Sequence, residues 1–204
     1  MPSLDDYFDE IDSLRVVRVK ELLEIKAELS GLRTVSSKAV VVLTYACWEG
    51  FYNECVGVYL EFLKSTNKRV RDVDWLLLLG ALTPALESVR ARNHTMESKL
   101  LFVETLKGLI DCTYTLVDPS VILARSNLDF GKLRQNFKLL NFDLTKFNPL
   151  RNRIDKELVG WRHGVAHGDT PDLSKLDIDK HIQLTNTLLM EISDRFQFGM
   201  LDRL

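Results

Sequence analysis

The sequence predicts an all-α fold, a single domain built around a helical bundle, and three observations carry that expectation. Apolar residues recur at three- and four-residue intervals along most of the chain. The interruptions between those stretches hold helix punctuation: Gly31, Thr95, Asp118-Pro119, Asn148-Pro149 and Thr170-Pro171. No stretch reads as a strand, and no internal repeat, low-complexity tract or separable linker appears.

Taken in order, residues 4 to 29 place Leu14, Val17, Leu22, Ile25 and Leu29 at helical spacing, with Gly31 placed to end the helix. A second helix is expected from about Ser36 to Lys64. Val40, Val41, Leu43, Tyr45, Cys47, Trp48 and Phe51 make much of its circumference apolar, which predicts a central position. The polar turn Asn67-Lys68-Arg69 follows, then a helix from about Val73 interrupted near Thr83-Pro84. Thr95 is placed to cap a helix reaching about Ile110. Asp118-Pro119-Ser120 breaks the chain before short helical pieces over 119–125 and 129–140. Pro149 suits the first turn of the next helix. The last, from about Asp177 to Phe198, sets Ile178, Ile182, Thr185, Leu188, Leu189 and Ile192 on one side.

Composition narrows the function classes. The chain of 204 residues is 46% hydrophobic and 27% charged, enough for one packed core. A net charge of −2 gives no global positive field, so any nucleic-acid contact must be local. Cys47, Cys55 and Cys112 are odd in number, widely spaced and set in apolar stretches, the pattern of reduced thiols in a cytoplasmic protein. The acidic start Met1-Pro2-Ser3-Leu4-Asp5-Asp6 lacks the features of a secretory signal. The apolar run from Trp75 to Leu86 is too short to span a bilayer, so no membrane partner is expected.

The segment richest in chemistry is Leu158-Val159-Gly160-Trp161-Arg162-His163-Gly164-Val165-Ala166-His167-Gly168-Asp169. It brings a guanidinium beside two imidazoles, groups suited to cleavage at a phosphodiester. The spacing alone is weak evidence, since a chain of this composition is expected to hold such a pair roughly once by chance. Context adds to it. Leu150, Ile154, Leu158 and Trp161 describe a buried stripe running into the motif, and glycines recur at Gly160, Gly164 and Gly168. Each glycine weakens a helix by about 1 kcal/mol, so close backbone approach or a helix ending explains them better. On an uninterrupted helix Arg162 and His167 would lie roughly 140° apart. They converge on one phosphate only if the helix ends near Gly164 or a second subunit supplies one of them.

Plainer readings stand beside this one. Arg162 can be a solvated or salt-bridged cation, and His167 a helix-terminal histidine facing the dipole. His163 and His167, four apart, could share a metal, but Gly164 stands where a metalloprotease motif needs glutamate. Glu49, inside Ala46-Cys47-Trp48-Glu49-Gly50-Phe51, either pairs with Arg162 or His167 or lies on an exposed edge. His94 and His181 read as polar-face or cap residues.

The string Arg162-His163-Gly164-Val165-Ala166-His167-Gly168 resembles the arginine-to-histidine signature of the HEPN superfamily. Trp48-Glu49-Gly50-Phe51 looks like the WEGF segment of its RNA-processing and toxin-type branch. Ser126-Asn127-Leu128-Asp129 and the stretch Leu144 to Leu150 add to the likeness, which touches residues 35–198 and leaves 1–34 as an added N-terminal helix. His163 departs from the asparagine common at that place. The resemblance implies a helical bundle that pairs as a homodimer, with a composite site formed by two motifs. It also implies a metal-independent endoribonuclease with no cofactor, acting on RNA as a toxin or phage-defence effector beside an antitoxin or neighbouring operon protein. Arg162 and His167 take the catalytic positions, with His163 and Glu49 as candidate supporting residues. A non-catalytic nucleotide- or RNA-binding or dimerisation module on the same bundle is the alternative, and a metal-dependent hydrolase using His163 and His167 a third.

Overall fold

The computed structural model describes residues 2–29, 35–125, 127–169, 171–174 and 176–204. Its α-helices are α1 (Leu4–Leu29), α2 (Val35–Ser65), α3 (Val70–Val73), α4 (Leu78–Ala91), α5 (Met96–Leu109), α6 (Phe130–Leu140), α7 (Arg151–Arg153), α8 (Trp161–Ala166) and α9 (Ile178–Leu201). Short 3-10 turns link several of them, and Ile154–Gly160 winds as a π-helix between α7 and α8. The fold is all-α, and among the described residues no helix is long and apolar enough to cross a membrane.

The long helices α1, α2 and α9 pack mutually, and α2 forms the axis of the molecule. Val40, Trp48, Phe51, Tyr52, Val56, Tyr59 and Leu63 all lie in the core, which is why its sequence is apolar nearly all round. The polar tips of three of its rings are spent on the loop that precedes α6. The Trp48 indole donates to Leu128 O (3.1 Å), and Tyr52 Oη donates to Ile122 O (2.8 Å). Tyr45 Oη accepts from Leu128 N–H (2.8 Å). An otherwise irregular stretch of backbone is thereby satisfied inside the protein.

Local sequence sets the helix starts. Thr95, Asp129 and Asp177 each accept a backbone N–H from the third residue on: Ser98, Lys132 and Lys180. Helix α6 ends on Asn141 in the left-handed region (φ 53°). At the far end of the bundle, Asp74 (3% exposed) and Arg203 (5% exposed) form a buried ion pair. Arg203 Nε donates to Asp74 Oδ2 (2.9 Å) and its Nη1 to Gly199 O (3.1 Å), while Tyr114 Oη donates to the same carboxylate (2.8 Å).

Several expectations are corrected. The Thr83-Pro84 pair does not interrupt its helix: α4 runs through Pro84. The proline costs one backbone hydrogen bond, and packing against α5 and the Pro119–Val121 turn carries the helix past it. On α1 the buried positions are Tyr7, Ile11 and Leu22, whereas Val17 is exposed. The proposed ending at Gly31 lies outside the described residues. The piece expected over 119–125 shrinks to Pro119–Val121. The three cysteines are free and buried.

His181 is neither a surface nor a cap residue. It is 1% exposed on the core side of α9, where its Nε2 lies 2.9 Å from Thr44 Oγ1. The Thr44 hydroxyl donates to Val40 O (2.7 Å), so its lone pair takes the His181 Nε2–H. Burial pushes the imidazole down to about 4; Glu157 opposes that shift and Arg153 adds to it. The unfolded chain therefore binds a proton the folded one refuses, in the window from about 6.5 down to about 4. This contribution to stability is complete above that window and lost as pH falls through it. Urea unfolding at pH 4.5 is expected to show about 2–3 kcal/mol less stability than at pH 7.5 from this group. A His181→Gln protein should show a correspondingly shallower pH dependence; an equally steep fall would assign the loss to other groups.

Candidate active site at the end of α8

The motif is built on three successive windings. The chain enters through Pro149 and α7, widens into the π-helix, then tightens into the α-helical turn and a half of α8. Ile154, Leu158 and Val159 are buried against the core, and α8 packs on α2. A continuous α-helix from Pro149 was the simpler expectation. In the π segment the Trp161 N–H instead reaches back to Lys156 O, five residues earlier. A side chain at position 160 would meet Asp155 O at 3.1 Å, so glycine there fits the wide turn.

The helix then stops. The Gly168 N–H bonds to Val165 O (3.3 Å) and the Asp169 N–H to Gly164 O (2.9 Å), with Gly168 at φ 79°. This is the Schellman arrangement, and it explains a glycine at that place: other residues pay a steric penalty in the left-handed region. His167 becomes the residue on which α8 closes (φ −93°, ψ 7°). Helix termination at this point is what the alternation of glycines suggested, although it falls one residue short of His167 rather than at Gly164.

Arg162 leaves α8 toward α2. Its guanidinium carbon sits 4.7 Å from the centroid of the Tyr45 ring, within cation–π range. Among the described residues it makes no hydrogen bond and no ion pair, so the salt-bridged reading does not hold. Tyr45 is itself fixed by the Leu128 amide. Burial pushes its phenol up to about 12, Glu49 adding to the shift and Arg162 opposing it, so it stays neutral across the working range of a protein. Tyr45 was not among the sequence candidates. The available signal was its place one helical turn before Glu49, just ahead of the segment that carried the family likeness.

His163 and His167 are exposed and face one another, with ring centroids 4.2 Å apart. Their spacing of four residues puts them on one side of α8, as expected. Among the described residues no group of three His, Cys, Asp or Glu side chains is placed to hold a metal, so no third ligand joins the pair. No hydrogen bond or ring contact joins Arg162 to His167 within one chain. Glu49 is half-buried beside Tyr45; its Oε1 is buried without a hydrogen-bond partner, and it pairs with neither Arg162 nor His167.

The site thus offers an anchored guanidinium with no donor spent on the described residues, two exposed imidazoles and a helix that closes on the second of them. Comparison with known proteins gives a family for this arrangement. No curated protein and no solved structure matches the chain. The profile of the RiboL-PSP-HEPN family does match, over residues 7–197, and so takes in α1 as well as the motif. The chain belongs to the RiboL-PSP-HEPN family of the HEPN superfamily, whose members are often ribonucleases.

Proposed function

We propose that this protein is a metal-independent endoribonuclease that cleaves RNA by attack of a ribose 2′-OH on the adjoining phosphate. The observation that carries the reading is the state of Arg162. A guanidinium held on Tyr45 that spends no donor on any described residue is prepared for an anion from outside. A phosphorane, with charge developing on its equatorial oxygens, fits that planar fork.

In this mechanism His167 takes the 2′-OH proton as the oxygen attacks phosphorus. The bond to the 5′-oxygen breaks, and His163 or its counterpart in a second copy returns a proton to the leaving oxygen. The products are a 2′,3′-cyclic phosphate and a 5′-hydroxyl. The nucleophile belongs to the substrate, so DNA is inert. With Arg162 held on Tyr45 and His167 turned to His163 instead of to the guanidinium, the complete site is assigned to a homodimer in which two motifs face each other. A role as the toxic member of a toxin–antitoxin or phage-defence pair is consistent with the family and belongs to the same proposal.

The test is incubation of the purified dimer with a structured RNA in excess EDTA, beside His167→Ala. Cleavage is expected to persist in EDTA and to fall by at least ~10²-fold in the variant, the scale of general acid–base catalysis. Equal cleavage by both proteins would remove the assignment. Activity lost with EDTA alone would transfer it to metal-assisted hydrolysis.

A further inference from the structure

Helix α2 carries more apolar surface than the core covers. Val35, Ala39, Val42, Leu43 and Ala46 follow one another at the spacing of a single helix face. Val35, Val42, Leu43 and Ala46 are exposed, whereas Val40, Val41, Tyr45 and Cys47 beside them are buried. Along this face runs a hollow of about 410 Å³ between α1 and α2. Its apolar lining is Ile25 and Leu29 from α1 with Ala39, Leu43 and Ala46 from α2. From Arg18 at one end to Leu29 at the other, α1 rises roughly 16 Å, about three helical turns. The two alanines keep the floor low, so another backbone can approach closely.

The rim of the groove is acidic. Glu21, Glu24 and Glu28 stand along its α1 side. Among the described residues Arg18 is the one cation lining it, and that charge is spent. Its Nη1 donates to Glu21 (2.8 Å) and its Nε to Glu54 (3.1 Å). Glu21 also accepts from the Cys47 thiol (3.3 Å). Glu24 and Glu28 are exposed and, among the described residues, form no ion pair or hydrogen bond.

That sign of charge selects the occupant. An anionic bilayer surface or a nucleic-acid backbone is repelled by it. A second copy meeting the groove across a two-fold axis brings the same acidic edge with it. A slot about three turns long between two helices, apolar at its floor and acidic at its rim, fits one more helix with an apolar stripe and flanking basic residues. We infer that the α1–α2 groove docks a cationic amphipathic helix of a partner protein, its apolar side on Ile25 and Leu43 and its basic residues against Glu24 and Glu28. Leu43 and Ala46 belong to the turn of α2 that carries Tyr45, so the partner sits on the same stretch of helix as the platform for Arg162. Docking does not depend on whether RNA is cleaved there.

The probe is a fluorescein-labelled peptide of two Leu-Lys-Lys-Leu-Leu-Lys-Leu repeats, titrated with the full chain by anisotropy at low salt. The same peptide with glutamate for every lysine runs beside it. The lysine peptide is expected to bind and the glutamate peptide not to. Glu24→Lys with Glu28→Lys, both at exposed positions, should weaken the lysine peptide by at least ~10-fold and admit the glutamate peptide. Leu43→Gln should weaken either pairing by about 10-fold, since the apolar floor serves both. Unchanged helical circular dichroism in each variant keeps loss of binding separate from loss of fold. Failure of the lysine peptide to bind, or binding that neither change affects, would overturn the docking groove. Equal binding of both peptides to the wild-type protein would remove the cationic partner. Self-association of the wild-type protein in sedimentation, abolished by Leu43→Gln, would give the groove to a second copy instead.

Discussion

Asp74→Ala is expected to destabilise the protein by about 3–5 kcal/mol, the cost of leaving a buried charge without its partner. Arg203 is 5% exposed and cannot turn to water. Its guanidinium already spends donors on Gly199 O (3.1 Å) and Leu140 O (2.5 Å), and among the described residues Asp74 is the one carboxylate paired with it. The Tyr114 hydroxyl also loses its acceptor, a further unsatisfied polar group in the core. A fall in the urea midpoint with unchanged slope would measure the effect. The double replacement Asp74→Leu with Arg203→Met should recover most of the loss, because desolvation of the pair offsets much of its attraction. A single-variant loss under about 1 kcal/mol would show that Arg203 finds another route to solvent.

Arg162→Lys is expected to lower kcat/KM for RNA cleavage by about 10²-fold while leaving the fold intact. Charge is retained, so a purely coulombic role would tolerate the change. The planar fork is lost, and with it both the flat contact on Tyr45 and two-point recognition of phosphoryl oxygens. Tyr45→Phe tests the platform by itself: the ring stays, although the Leu128 amide loses its acceptor. That variant should keep activity within several-fold of wild type in single-turnover assays. Full activity in Arg162→Lys would reduce the residue to a general cation and weaken the proposed transition-state contact.

Much of this architecture was legible because local chemistry and tertiary packing agree. Thr95, Asp129 and Asp177 are good caps in any context, and each begins a helix here. The continuous apolar surface of α2 could be accommodated only at the centre. Sequence reasoning failed where neighbours decide the outcome. Nothing in Thr83-Pro84 reports that α5 holds the helix together across a missing hydrogen bond. His181 did carry a signal, since it shares the stripe of Ile178, Ile182 and Thr185, but histidine in such a stripe is neutral on burial until a partner such as Thr44 is known. At the site, Arg162, His163 and His167 were visible as residue types at a spacing. Tyr45 was not, because it lies far from the motif in sequence and meets it only in the folded chain.

The π-helical stretch gives the residue count between Pro149 and Arg162 a meaning of its own. An α-helix advances about 100° per residue, and a π turn absorbs one residue more than an α turn over the same arc. Seven residues wound this way act as a stored insertion upstream of α8. Removing one of them would return the backbone to ordinary α winding with little change in length. Because the surplus residue adds no arc, the bearing of everything downstream would be nearly unchanged, with the guanidinium still on the Tyr45 face. The π winding is therefore slack in the backbone, able to absorb the loss of one residue upstream of α8 while the motif keeps its bearing, and single-residue deletions in this stretch are expected to be among the best tolerated in the chain.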